Sequence, residues 1–72
     1  MRAHDHVTYF AAPSPNAPTT DPVACRAHVV EVIDADTLTL DVDRPGVATE
    51  RLESVPRCDA ATPTAGHWST VP

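Results

Sequence analysis

Four aspartates, Asp34, Asp36, Asp41 and Asp43, crowd one short stretch of this chain. Hard cations take several oxygen ligands, and a D-x-D pair supplies two. The spacing lacks the glycine and the distal glutamate of a twelve-residue calcium loop, so the aspartates read as turn and solvent-face residues. His4-Asp5-His6 sets two imidazoles two positions apart, a spacing that an extended chain presents to zinc. Cys25, His28, Cys58 and His67 are further donors, but no C-x-x-C spacing gathers them. Nucleophilic catalysis needs a serine or cysteine beside a base with an orienting acid. Ser54, Ser69, Cys25 and Cys58 sit in no such motif, and no glycine-rich phosphate loop is present. The expectation is a protein without catalytic residues, metal or cofactor.

The elements that hold these residues are strands. The centre is Ala27–Val42, AHVVEVIDADTLTLDV, read as a hairpin around the acidic turn Asp34-Ala35-Asp36. In the first strand, Cys25, Ala27 and Val29 alternate with Arg26, His28 and Val30, the period of a half-buried strand. The alternation blurs at Val29-Val30 and Val32-Ile33, which implies either a bulge or burial of both faces. In the second strand Leu38, Leu40 and Val42 share one face, and Thr37, Thr39 and Asp41 share the other. Arg44-Pro45-Gly46-Val47 fits a type II turn with Gly46 at positive φ. A third strand is expected over Val47–Leu52, with Pro56 ending it because proline cannot donate to a central ladder. His67-Trp68-Ser69 closes the set, with Trp68 covering one end of the barrel. The predicted core is Val29, Leu38, Leu40, Val42, Leu52 and Trp68.

Residues 1–22 read differently. They hold four of the eight prolines (Pro13, Pro15, Pro18 and Pro22), and proline favours extended or irregular backbone. Within them, Val7-Thr8-Tyr9-Phe10 is a short β-prone run containing two of the three aromatics. It suits a docking strand on a partner, or a strand folded back onto its own barrel. The expected organisation is therefore an extended Pro-rich N-terminal arm over 1–22 and a small β-barrel over 23–72. The fold class is all-β, a small antiparallel barrel of three to five strands, Src-homology-3-like or similar. The expected partner-binding residues are Val7, Tyr9, Phe10, Pro13, Pro15 and Pro18.

Size and charge narrow the function. A chain of 72 residues buries only about 60% of its unfolded surface, so small domains lean on disulfides, metals or neighbouring chains. Ten carboxylates against five arginines give a net charge of −5, which repels a phosphate backbone. The arginines are scattered and no lysine is present; guanidinium groups suit interfaces with carboxylates and carbonyls. No apolar run is long enough for a signal peptide or a membrane span. Cys25 and Cys58 are expected as free thiols.

Two resemblances follow. Val30–Asp43, VEVIDADTLTLDVD, resembles the opening hairpin of staphylococcal-nuclease-like domains, whose metal-binding aspartate falls at Asp36 and whose phosphate-binding arginine falls near Arg51. The family's V-D-T-P-E segment is replaced here by Ser54-Val55-Pro56-Arg57-Cys58, without its carboxylates. The second covers about residues 24–72: A-x-V-V-x-V-x-x-x-D-T-L-x-L-x-V from Ala27, then Ser54-Val55-Pro56 and Trp68. This order resembles small accessory proteins of tailed-bacteriophage virions. It implies a non-enzymatic virion component, assembled in the host cytoplasm, that decorates or cements the capsid. The implied partners are the major capsid protein and copies of the chain itself, with no membrane or nucleic acid. Alternatives are a head-fibre base, a head–tail connector component, or a degenerate nuclease-like barrel.

Overall fold

Alternation of apolar and polar residues, interrupted at two places, builds the sheet. The computed structural model describes residues 2–43 and 48–70. Five strands form among them: β1 (His6–Ala11), β2 (Val23–Val32), β3 (Thr37–Asp43), β4 (Glu50–Pro56) and β5 (His67–Ser69). All pair antiparallel in one sheet of order β4-β3-β2-β1-β5, which curls into a half-barrel. No helix forms among the described residues.

The inner face is one apolar cluster. Val7, Tyr9 and Ala11 of β1 meet Ala27 and Val29 of β2, Leu38, Leu40 and Val42 of β3, Val55 of β4 and Trp68 of β5. Val29, Leu38, Leu40 and Val42 are fully buried, Trp68 is 1% exposed, and Leu52 packs partly buried against the cluster. Each fully buried aliphatic side chain contributes about 1.5–3 kcal/mol against the entropy of ordering so short a chain.

The described residues 2–22 do not form an extended arm. His6–Ala11 lies inside the sheet, with β2 on one side and β5 on the other. The reason is its alternation: Val7, Tyr9 and Ala11 all point one way, and the inner face of β2–β4 offers them an apolar surface. The radius of gyration, 11.7 Å, is near the roughly 11 Å of a compact chain of this length. The Pro-rich residues 12–22 are instead the loop between β1 and β2, whose ends meet where Ala11 pairs with Val23. The alternative of a strand folded back onto its own barrel describes Val7 and Tyr9.

The blurred alternation in β2 marks a bulge. Val29 pairs with Leu40 but Glu31 with Thr39, leaving Val30 as the extra residue. A second irregularity lies in β4, where Leu40 faces Leu52 and Leu38 faces Val55. There Ser54 adopts φ 54°, a left-handed conformation that one type of bulge uses and that costs a non-glycine residue roughly 1 kcal/mol or more. Thr39, expected on the outer face, is buried; it lies level with both irregularities, and bulges increase local strand twist. The fourth strand runs over Glu50–Pro56, later than the expected 47–52. Pro56 ends it opposite Thr37, which an edge strand permits because one side of its ladder is unpaired. The turn expected at 44–47 lies outside the described residues.

Gly66 enters β5 at φ 83°, and its N–H donates to Phe10 O at 2.7 Å. Only glycine takes that backbone freely.

Because Tyr9 fills the core, Tyr9→Ala should cost about 3 kcal/mol or more, a large share of a small domain's stability. Urea denaturation followed by Trp68 fluorescence measures it. A midpoint equal to wild type would contradict the placement of β1.

Candidate functional site

Three groupings of polar residues emerge from this sheet. The first crosses its outer face. His6 pairs with His28, His28 with Asp41, and Asp41 with Arg51, so one row runs across β1, β2, β3 and β4. The Arg51 guanidinium grips the Asp41 carboxylate with both arms: Nε donates to Oδ1 at 2.9 Å and Nη2 to Oδ2 at 3.2 Å. His28 Nε2 lies 3.5 Å from Asp41 Oδ2, and the His6 ring meets His28 edge-on at 6.5 Å. The Arg51 hydrogen bonds hold the Asp41 carboxyl below its ordinary range, helped by the charges of Arg51 and His28 and opposed by desolvation. The same hydrogen bonds raise Arg51. Such a fork–fork pair has fixed geometry, which a point charge lacks.

The second grouping closes the barrel's seam. Trp68 Nε1 donates to Asp36 O at 3.1 Å, and Cys58 N donates to Trp68 O at 2.8 Å. The Arg57 guanidinium stands 5.4 Å from the Trp68 ring centroid, within cation–π range. A groove of about 630 Å³ opens beside them, lined in part by Asp36, Arg57, Cys58, Asp59 and Ser69. The acidic turn is shaped by its own side chain. Asp34 Oδ1 accepts from Asp36 N at 2.9 Å, which with the Thr37 contacts lowers the Asp34 carboxyl against desolvation. Ile33 N and Asp34 N both donate to Thr37 O.

The third grouping is the Pro-rich loop 12–22. Ala17 N donates to Ser14 O at 2.9 Å, folding Ser14–Ala17 into a turn. Asn16 N donates to Ser14 Oγ and Asp21 N to Thr19 Oγ1. Serine and threonine hydroxyls in these positions fix the loop where proline has already restricted φ.

The structure separates the predicted partner-binding residues. Val7 and Tyr9 are buried in the core and have no face to offer a partner. Phe10 and Pro13 are half-buried, and Pro15 and Pro18 are exposed on the loop. Val29, Leu38, Leu40, Val42 and Trp68 lie in the core cluster, with Leu52 partly buried against it.

The chemistry-bearing residues remain dispersed. Among the described residues, no group of three or more His, Cys, Asp or Glu side chains is placed to hold a metal ion. Cys25 and Cys58 are free and half-buried; Cys25 borders a smaller groove of about 430 Å³ with His6 and Arg26. His67 Nδ1 faces Ala65 O at 3.1 Å. Arg51, which the nuclease-like pattern would turn toward a phosphate, is committed to Asp41. The row from His6 to Arg51 escaped the sequence reading because it depends on inter-strand register. That register is set by the pairing of four strands and by the bulges within it. No protein-family model, curated protein or solved structure matches this chain.

The sign of the Asp41 effect gives a test. A carboxyl held below its ordinary value of 3.8 stabilises the fold above that pH, and the contribution fades as pH falls through the folded value. Asp41→Asn should therefore unfold with a shallower loss of stability below about pH 4 than wild type. Superimposable acid-denaturation profiles would contradict it.

Proposed function

We propose that this chain is a non-enzymatic structural component of a tailed-phage virion, a capsid-decorating barrel that binds the major capsid protein lattice through its β1–β2 loop. The observation that carries the reading is that loop. Residues 12–22 carry Pro13, Pro15, Pro18 and Pro22 between two strands at the heart of the sheet, with Pro15 and Pro18 exposed. A loop already stiffened by proline and by its own side-chain turns loses little entropy on binding. Anchored at both ends in the sheet, it presents Phe10 and Pro13 at its base and Pro15 and Pro18 at its tip.

Two further features agree. The strand order, read around the sheet as β5-β1-β2-β3-β4, supports a Src-homology-3-like barrel, a scaffold that hosts many unrelated binding functions. The acidic surface, with net charge −5, suits a place on the outside of a DNA-filled shell. Of the residues that carry the virion resemblance, Ala27, Val29, Leu38, Leu40, Val42, Val55 and Trp68 lie on the inner face of the barrel, while Val32, Asp36, Ser54 and Pro56 are exposed. The inner-face residues support the fold of such a protein; the loop supports its docking. In the virion the partners are the capsid lattice and copies of the same chain.

The test is co-sedimentation with heads of the encoding phage. Replacing residues 13–21 with a Gly/Ser segment of equal length should weaken binding by at least about tenfold, equivalent to about 1.4 kcal/mol. The circular dichroism and thermal transition of the barrel should persist. Undiminished binding by the folded variant would overturn the docking role of the loop, and failure of the intact chain to bind heads would overturn the virion reading.

A further inference from the structure

The sheet has two edges, and they are unequal. β5 is short, and its seam toward β4 is bridged at Arg57 and Trp68. β4 is longer, and among the described residues its one neighbour within the sheet is β3. A strand edge with backbone donors and acceptors facing outward is a template for another strand. Past Glu53 this edge is blunted, since Ser54 bends at φ 54° and Pro56 lacks an N–H. The usable part is therefore centred near Leu52.

That centre is self-complementary. Arg51 and Glu53 flank Leu52 and are exposed, while Leu52 is partly buried against the core. Two copies of β4 laid antiparallel about Leu52 bring Arg51 opposite Glu53 of the second copy, and Glu53 opposite its Arg51. Leu52 meets its own counterpart on the inner side. A two-fold interface demands this reciprocity, in which residue i contacts j and j contacts i. The charge order Arg–Leu–Glu meets the demand, whereas two like charges at these positions would oppose it. Arg51 already gives Nε and Nη2 donors to Asp41 of β3, but a guanidinium carries five N–H donors, so it has donors left for the Glu53 carboxylate of a second copy.

We propose that the β4 edge is an interface between two copies of this chain, formed by antiparallel β4–β4 pairing centred on Leu52 with reciprocal Arg51–Glu53 contacts. The stretch is short against the roughly 1,600 Å² of a standard interface, so the isolated dimer is weak, with association in the micromolar to millimolar range. On a lattice holding many copies, a weak contact is multiplied by effective concentration. The proposal gives a surface to the self-association named in the preceding subsection but does not need a capsid. Its test uses the isolated chain, so its failure leaves capsid binding standing.

Sedimentation equilibrium of the full chain, up to about 1 mM, measures the association. Wild type should show a reversible monomer–dimer equilibrium. Glu53→Arg places like charges opposite each other twice and should weaken dimerisation at least about tenfold. Glu31→Lys, an exposed β2 substitution away from the edge, should leave it unchanged. Amide exchange at Arg51–Glu53 should slow as concentration rises, a readout independent of any variant's fold. A chain that stays monomeric across the range, or a dimer as strong in Glu53→Arg as in wild type, would overturn the proposal.

Discussion

The double pairing of β1 is the constraint from which the rest follows. β1 hydrogen-bonds to β2 along its length and to β5 at Thr8, Tyr9 and Phe10. The meander β2–β3–β4 presents an inner face of Ala27, Val29, Leu38, Leu40, Val42 and Val55, and β1 and β5 supply Val7, Tyr9, Ala11 and Trp68 to cover it. Val7, Tyr9 and Trp68 come from the two ends of the chain and meet at that face. Closing the loop between β1 and β2 costs only about 2 kcal/mol in chain entropy. β5 is different: it joins across most of the sequence, and among the described residues its ladder partner is β1, with one isolated bridge from Trp68 to Arg57. Without β1, β5 loses its ladder and keeps only the contacts of Trp68 with Asp36, Arg57 and Cys58.

Once β1 is in place, Trp68 locks the seam. Its ring fills the core, its indole N–H reaches the Asp36 carbonyl, its own carbonyl accepts from Cys58, and Arg57 lies over the ring. A single residue of β5 thus ties the β2–β3 turn to the end of β4. On the outer face the His6–His28–Asp41–Arg51 row crosses four strands with charge and ring contacts. These two features hold the frame from inside and outside. The frame then displays two elements: the Pro-rich loop and the outer edge of β4, which among the described residues has no strand beside it.

The legibility of this architecture in the sequence follows the strength of local patterns. β3 was plain, because Leu38, Leu40 and Val42 alternate without interruption. The bulge at Val30 was readable as a loss of alternation, and the Asp34 turn as an aspartate bonding to nearby backbone. The closing strand at Trp68 was placed by its aromatic. β1 was misplaced because its neighbours are prolines, and composition averaged over residues 1–22 concealed the alternation of Val7, Tyr9 and Ala11. The shift of β4 toward Pro56 is not legible from proline alone, because proline is excluded from central ladders and β4 is, among the described residues, an edge. The outer row could not be read at all, since cross-strand neighbours depend on register and on the bulges that reset it.

Amide hydrogen exchange tests the central placement most directly. If β1 is an interior strand, the amides of Val7–Phe10 exchange as slowly as those of β2 and β3, because all open only with the whole sheet. Exchange of Val7–Phe10 at free-chain rates, with β2–β4 still protected, would contradict the account and return this segment to the role of an arm.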